Sequence, residues 1–259
     1  MKYMGSKSRI AKYIVPILQK YIDECDIDTY IEPFVGGANI IDQIKCDTRM
    51  AIDNNHYLIA LFQHLQKGGE LYKEVSKELY DRARDSFMGR SNEKFDDWEI
   101  GNIGFLASYN GRFFDGGYGK PVYEKTKNGV RYRDYYAEGK KNLLKQSDDL
   151  SDVMFTCSDY KNIRKDLRNT VIYCDPPYND TKRYKNAVNF DYEEFWDIVR
   201  ELSEENIVIV SELNAPDDFE VIWEKLVSRS IKVNDKSKAV EKLFKYRQYK
   251  RLFHGGFKI

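Results

Sequence analysis

The segment Val171-Ile172-Tyr173-Cys174-Asp175-Pro176-Pro177-Tyr178 is the most informative part of the sequence. Its first four residues are β-branched, aromatic or small and apolar, a composition typical of a buried strand. Because proline has no backbone N–H, the two prolines end this strand in a rigid turn. Open α/β sheets place their ligands at the carboxyl ends of strands, so the turn is a candidate site.

The chemical groups of this turn suit a planar ring that bears an amino group. The Asp175 carboxylate and the Pro176 carbonyl can accept hydrogen bonds from an amine, and the Tyr178 ring can stack on the ring face. The candidate catalytic residues are therefore Asp175, Pro176, Pro177 and Tyr178. The alternative is an ordinary Pro-Pro turn after a strand, because short motifs also occur by chance.

Length and composition narrow the class of protein. The chain has 259 residues, 42% hydrophobic and 32% charged, which fits one large domain or a domain with an insertion. It has no apolar run of the roughly 20 residues that span a bilayer, and residues 1–7 lack the apolar region of a secretory signal. The four cysteines and three histidines lack metal-type spacing. We therefore predict reduced, buried thiols, no metal, no membrane contact and a cytoplasmic location.

A second group of motifs lies nearer the N-terminus. Residues 29–34 predict a strand, which the glycine turn Gly36-Gly37 and an apolar helix over residues 40–44 follow. The next predicted strand, residues 50–52, ends in Asp53, where nucleotide-cofactor folds hold a ribose diol about 20 residues past the glycine turn. No Lys-Ser/Thr pair follows the glycines, which argues against a P-loop.

Between residues 57 and 150 the alternation of strands and helices stops, which indicates an insertion. Within it, residues 121–135 predict a β-hairpin with an Asn-Gly tip. Its basic residues are Lys125, Lys127, Arg131 and Arg133. A second basic segment, residues 225–258, has eleven basic residues against two acidic ones, a net charge near +9. Basic segments interleaved with tyrosines favour contact with a nucleic acid, although a basic hairpin can also be a solvated element without function.

Alternation resumes with predicted strands over residues 153–157, 171–174 and 207–210, and with predicted helices over residues 191–205 and 216–226. This pattern predicts an α/β fold in which helices cover both faces of a mostly parallel sheet.

Taken in order, these motifs resemble a known family. The segment Tyr3-Met4-Gly5-Ser6-Lys7 matches an aromatic-x-Gly-x-Lys segment, and Glu32-Pro33-Phe34-Val35-Gly36-Gly37 resembles a Pro-Phe-x-Gly loop. Asp53-Asn54-Asn55 matches an Asp-Ile-Asn position, and Asp175-Pro176-Pro177-Tyr178 matches the catalytic motif. The chain thus resembles the DNA adenine N6-methyltransferases of the Dam-like (D12 class) family.

The resemblance implies a Rossmann-like methyltransferase sheet with an inserted, mainly helical target-recognition domain that carries a β-hairpin. Residues 1–57 and 150–259 would form the catalytic domain, and residues 58–149 the DNA-binding insertion. The implied cofactor is S-adenosylmethionine, with contacts from Tyr3, Lys7, Glu32, Phe34, Gly36, Asp53, Asp159 and Asp175. With the basic hairpin, the resemblance implies DNA contacts from Tyr109, Asn110, Arg112, Lys125, Lys127, Asn128 and Arg131.

The implied activity is methyl transfer from S-adenosylmethionine to N6 of an adenine flipped out of double-stranded DNA. The alternatives are a cytosine-N4 methyltransferase, a methyltransferase of a protein glutamine or an RNA amine, and a DNA-binding module that has lost catalysis. Asp175 in place of Asn, and the basic insertion, count against the glutamine version. The residues after Gly111, Arg112-Phe113-Phe114-Asp115, depart from the members that read GATC, so the target sequence stays open. The oligomeric state and a role in restriction-modification also stay open.

Overall fold

The computed structural model describes residues 1–126, 129–177, 190–228 and 238–247. The α-helices in these ranges are α1 (Ala11–Glu24), α2 (His56–Gln66), α3 (Lys77–Phe87), α4 (Asp97–Gly101), α5 (Tyr135–Ser147) and α6 (Tyr192–Leu202). The strands are β1 (Thr29–Glu32), β2 (Thr48–Asp53), β3 (Val122–Thr126), β4 (Gly129–Arg133), β5 (Met154–Cys157), β6 (Thr170–Cys174), β7 (Ile207–Glu212), β8 (Phe219–Ser228) and β9 (Lys238–Tyr246).

The main sheet has the strand order β5-β2-β1-β6-β7-β9-β8, and β3 with β4 forms a separate hairpin. Strands β1, β6 and β7 are parallel, whereas β9 runs antiparallel to both β7 and β8. Every residue of β6 and β7 is buried. Continuous runs of valine and isoleucine suit such central strands, because both of their faces are covered. The predicted α/β fold is confirmed.

Contacts divide the chain into two compact units. The first comprises residues 1–16, 35–44 and 51–158, and it contains α2 to α5, the hairpin and β5. In its core the Phe62 and Phe155 rings stack with centroids 4.6 Å apart. The second unit comprises residues 17–34, 45–50 and 159–259, and it contains β1 and β6 to β9. There α6 buries Phe195, Val199 and Leu202.

Several local predictions are confirmed. The predicted hairpin forms β3 and β4, and the predicted strands over residues 153–157, 171–174 and 207–210 correspond to β5, β6 and β7. The helix predicted over residues 191–205 is α6, which Asp191 caps by accepting a hydrogen bond from the Glu194 N–H at 3.0 Å. Such an N-cap satisfies one of the free amides of the first turn.

Two predicted helices are wrong. Residues 40–44 form a single 3₁₀ turn, Ile41–Gln43, because the segment is too short for a stable helix and Ala38 before it takes a positive φ of 54°. Residues 216–226 contribute to β8 instead of a helix. Their valine, isoleucine and tryptophan suit a strand, and pairing with β9 outweighs the helical spacing.

The prediction of buried thiols is correct for Cys174 alone; Cys157 is exposed, and Cys25 and Cys46 are half-buried. Among the described residues, none of the helices has the length and apolar character needed to cross a membrane.

Candidate active site

The catalytic turn begins where β6 ends. The Thr170 to Ile172 part of β6 pairs in parallel with β1, and Val171 to Cys174 pairs with β7, so the turn leaves the middle of the sheet. Asp175 is half-buried and Pro176 is buried. The Tyr192 hydroxyl, in the first turn of α6, donates a hydrogen bond to the Pro177 carbonyl. This bond ties the turn to a helix, which restrains its backbone.

The residue before Asp175 is kept chemically inert. Burial, followed by the charge of Asp175, raises the pKa of the Cys174 thiol well above its usual value. Because the thiolate is the nucleophilic form of cysteine, Cys174 does not serve as a nucleophile at neutral pH. The reactive groups that the turn offers are therefore the Asp175 carboxylate and backbone carbonyls.

An acidic side chain at the end of β1 and an aromatic side chain just after it lie at the carboxyl end of this strand. Glu32 is 3% exposed, and its Oε1 accepts a hydrogen bond from the Tyr30 hydroxyl at 2.7 Å. The Phe34 ring packs against Tyr160 and Phe195, with centroid distances of 5.1 and 5.9 Å. Since β1 and β6 are parallel neighbours, Glu32 and Phe34 emerge beside the catalytic turn.

Asp159, also predicted to contact the cofactor, has a local structural role in the second unit. Its Oδ1 accepts a hydrogen bond from the Lys161 N–H at 2.9 Å and caps the 3₁₀ turn Tyr160–Asn162. The Tyr160 ring is buried beside it, and the Tyr160 hydroxyl has no hydrogen-bond partner among the described residues. The Asp159 carboxylate thus has the buried aromatic ring of Tyr160 as its neighbour.

In the first unit, Asp53 organises the glycine loop. Its Oδ2 accepts the Gly36 N–H and its Oδ1 accepts the Asn55 N–H, each at 3.0 Å. Asp53 is 9% exposed, and burial raises the pKa of its carboxyl although the two N–H groups oppose that rise. Each carboxylate oxygen has a second lone pair, so the side chain keeps acceptor capacity for a ligand.

The N-terminal segment lies directly on this loop. A Cβ added to Gly36, which has a φ of +47°, would come 2.9 Å from Tyr3 Cε1. The other side of the segment contacts the insertion, because a Cβ on Gly111 would come 2.6 Å from the Lys2 carbonyl oxygen. The Tyr3 ring also packs against Phe105, with centroids 5.7 Å apart. Lys7 begins a short 3₁₀ turn, Lys7–Arg9.

Comparison with known proteins decides the family. Residues 3–235 match the family profile described as D12 class N6 adenine-specific DNA methyltransferase. The chain belongs to this family. The resemblance noted in the sequence is confirmed, the protein is an adenine-specific DNA methyltransferase by class, and membership implies S-adenosylmethionine as methyl donor.

Individual relatives agree with this assignment. The chain is 25% identical over 223 residues to the type II methyltransferase M.MjaIII of Methanocaldococcus jannaschii, covering 74% of each chain. It is 24% identical over 234 residues to the type II methyltransferase M.FokI of Planomicrobium okeanokoites, covering 78% of this chain but 32% of M.FokI.

Two solved structures are also similar. TrmN from Thermus thermophilus is 10% identical over 89% of this chain and 48% of its own, with a TM-score of 0.36. SMU.472 complexed with SAH is 11% identical over 93% of this chain and 52% of its own, with a TM-score of 0.35.

The residues that this D12-class chain was predicted to use on DNA lie in the first unit. Tyr109 is 45% exposed, and Asn110 beside it has a positive φ of 57°. Arg112 and Lys125 are both exposed. The Arg131 guanidinium forms an ion pair with Glu138 at 2.6 Å. Predictions on Lys127, Asn128 and Tyr178 lie outside the described residues.

Two residues of this methyltransferase were not predicted from its sequence. Tyr192 donates a hydrogen bond to the catalytic turn, and Glu138 forms ion pairs with two arginines of the hairpin. Neither belongs to a motif, and a single tyrosine or glutamate in the first turn of a helix carries no distinguishing pattern. No group of three or more metal-ligating side chains suited to an ion is found in the described ranges.

Proposed function

We propose that the protein transfers a methyl group from S-adenosylmethionine to N6 of an adenine that is flipped out of double-stranded DNA. The observation that carries this proposal is the Asp175-Pro176-Pro177 turn, which leaves the buried strand β6 and is tied to Tyr192. Membership in the D12 class supports the reaction. Catalysis would reside in residues 1–57 and 150–259 and target recognition in residues 58–149.

Each unit, taken by itself, contains residues that we propose as contacts of the cofactor. In the first unit, the spare lone pairs of Asp53 suit the two hydroxyls of a ribose, and the backbone at Gly36 permits close approach of a ligand. Tyr3 and Lys7 are further proposed contacts. In the second unit, the proposed contacts are Glu32, Phe34, Asp159 and Asp175, of which Phe34 offers an aromatic face. When bound, the cofactor supplies an electrophilic methyl group on a sulfonium.

The turn would act on the target amine by orientation. The lone pair of adenine N6 is delocalised into the ring, so the amine is a weak nucleophile. Hydrogen bonds from its two N–H groups to the Asp175 carboxylate and the Pro176 carbonyl would favour the geometry that frees the lone pair for in-line attack. The proton lost from nitrogen can then leave through the Asp175 carboxylate. Tyr178 would stack on the flipped base.

DNA contacts would come from the insertion. Tyr109, Asn110 and Arg112 form one proposed contact region, and the basic hairpin forms the second. Cations there would neutralise phosphates and make binding depend on salt. Because its DNA substrate would be intracellular, we propose a cytoplasmic location for the protein.

Replacement of Asp175 tests the proposal. We expect Asp175→Ala to lose transfer of a tritiated methyl group to plasmid DNA while its affinity for the same DNA, measured by fluorescence anisotropy, stays near that of the wild type. The matched control is Asp217→Ala, which removes an exposed carboxylate outside the candidate site and should retain activity. Near wild-type transfer by Asp175→Ala would overturn the role of the turn.

The identity of the product tests the target atom. After methylation the plasmid is digested to nucleosides and analysed by mass spectrometry, and we expect N6-methyladenine. Recovery of N4-methylcytosine instead would show that the target amine is N4 of cytosine and not N6 of adenine.

A further inference from the structure

The hairpin of β3 and β4 has one face that is fastened to the protein. Arg131 and Glu124 lie opposite each other on this anchored face, and Arg133 is also on it. The Glu138 carboxylate on α5 accepts Arg131 Nη2 at 2.6 Å and Arg133 Nε at 3.2 Å. Lys2 Nζ approaches the same carboxylate at 3.2 Å. Although burial opposes it, Lys2 and Arg133 lower the pKa of Glu138, so the carboxylate stays charged.

The other face is aromatic and exposed. Side chains alternate along a strand, so Tyr123, Lys125, Val130 and Tyr132 lie together on this aromatic face, with Tyr123 opposite Tyr132 and Lys125 opposite Val130. Tyr123 is 77% exposed, Val130 68% and Tyr132 55%. The two tyrosine rings contact each other with centroids 5.1 Å apart. Lys125 forms no ion pair with any residue that the structure describes.

An exposed aromatic cluster of this kind indicates a binding surface. The positive charge of the surrounding segment indicates a partner that is negatively charged. Leaving two tyrosines and a valine in water forgoes the free energy of their burial, which a partner would recover. Residues 120–133 contain five basic residues and one acidic residue, a net charge of +4. Two copies of such a surface would repel each other, whereas a polyanion would be attracted. In a duplex, aromatic side chains can wedge between base steps and stack on the bases that they part.

We propose that the aromatic face, and not the anchored face, is the surface of the hairpin that contacts DNA. Tyr123 and Tyr132 pack against bases, and Lys125 binds a phosphate. Arg131 and Arg133 instead hold the hairpin at the correct angle through Glu138. This inference rests on the proposed function, because it takes DNA as the substrate.

The two kinds of contact have different dependences on salt. Stacking releases no counterions, so Tyr123→Ala and Tyr132→Ala should each weaken DNA binding roughly 5- to 100-fold without changing the slope of log K against log salt. Lys125→Ala should weaken binding and reduce that slope by about one. Arg131→Ala should reduce the slope by less than Lys125→Ala, because Glu138 already neutralises its charge.

The experiment uses the full chain and a fluorescein-labelled, linear plasmid fragment, titrated by anisotropy at several salt concentrations. Tyr123→Phe and Tyr132→Phe keep the ring and should bind almost as the wild type does. Leu144→Ala, which removes an apolar side chain that is 42% exposed on α5, is the control away from the hairpin. Circular dichroism and thermal melting verify that each variant is folded.

The outcomes separate this inference from the proposed function. If the wild type neither binds the fragment nor transfers methyl groups to it, the proposed function fails. If the wild type methylates DNA while Tyr123→Ala and Tyr132→Ala bind it normally, the aromatic face is not a DNA contact. Sedimentation of the wild type and of a variant that carries both Tyr123→Ala and Tyr132→Ala tests a further outcome. If the wild type is a dimer and this double variant is a monomer, the inference is overturned and the face binds a second copy of the chain.

Discussion

Replacement of Asp53 probes how strongly one carboxylate holds the glycine loop. The side chain accepts the Gly36 and Asn55 N–H groups, each at 3.0 Å, and it is 9% exposed. Asp53→Ala leaves the buried Gly36 amide and the partly buried Asn55 amide without this acceptor. Because each orphaned polar group costs about 1–3 kcal/mol, we expect the free energy of unfolding to fall by about 2–6 kcal/mol.

Asp53→Asn is the graded comparison. Its single carbonyl oxygen can serve one of the two amides, while its own NH₂ group faces the other, so about half of that loss should remain. Urea unfolding followed by circular dichroism measures the shift in midpoint. Hydrogen exchange of the Gly36 and Asn55 amides measures the local effect, and we expect both to exchange faster in Asp53→Ala.

Cofactor affinity completes the test. Isothermal titration with S-adenosylmethionine should show weaker binding by both variants, with Asp217→Ala unchanged. Wild-type exchange rates at Gly36 and Asn55 in Asp53→Ala would refute the reasoning, since the carboxylate would then not be what holds the loop. Unchanged cofactor affinity would refute the proposed contact with the ribose.

Three further outcomes are expected. Tyr192→Phe removes the donor to the Pro177 carbonyl and should lower the methyl-transfer rate about 2- to 10-fold, while the affinities for cofactor and DNA stay unchanged. An unchanged single-turnover rate would exclude a positioning role for Tyr192. Ser108→Ala deletes a buried hydroxyl that accepts the Phe114 N–H at 2.9 Å and bonds the Tyr80 hydroxyl at 3.1 Å, and it should cost about 1–3 kcal/mol, measured by thermal melting. Burial raises the pKa of Asp53, so cofactor affinity should fall on acidification at a pH above that at which a surface aspartate protonates, and Asp53→Asn should lack this limb. In stability the sign is opposite, because the folded state binds this proton more tightly than the unfolded state does. The proton-linked part of the contribution of Asp53 to the free energy of unfolding is therefore fully present below its unfolded pKa and is lost as pH rises through the folded pKa, whereas its hydrogen bonds to the two amides remain.

The sequence predicts local structure best where the residues that form it are contiguous in the chain. The strand before Asp175 and the loop at Gly36 are encoded by local composition, by prolines that lack an N–H and by a glycine that tolerates close approach. The same local logic predicted the hairpin through its Asn-Gly turn. It failed for residues 216–226, where helical spacing and strand composition disagree and pairing with a distant strand decides the outcome.

The order of the motifs, the family to which they point and the chemistry that the catalytic turn can offer were all readable from the sequence, because each depends on neighbours in the chain. The hydrogen bond of Tyr192 to the turn, the position of Tyr3 against the glycine loop and the ion pairs of Glu138 at the hairpin required the three-dimensional structure. These contacts join side chains from separate structural elements, and such partners are selected by packing in three dimensions and not by neighbours in the chain.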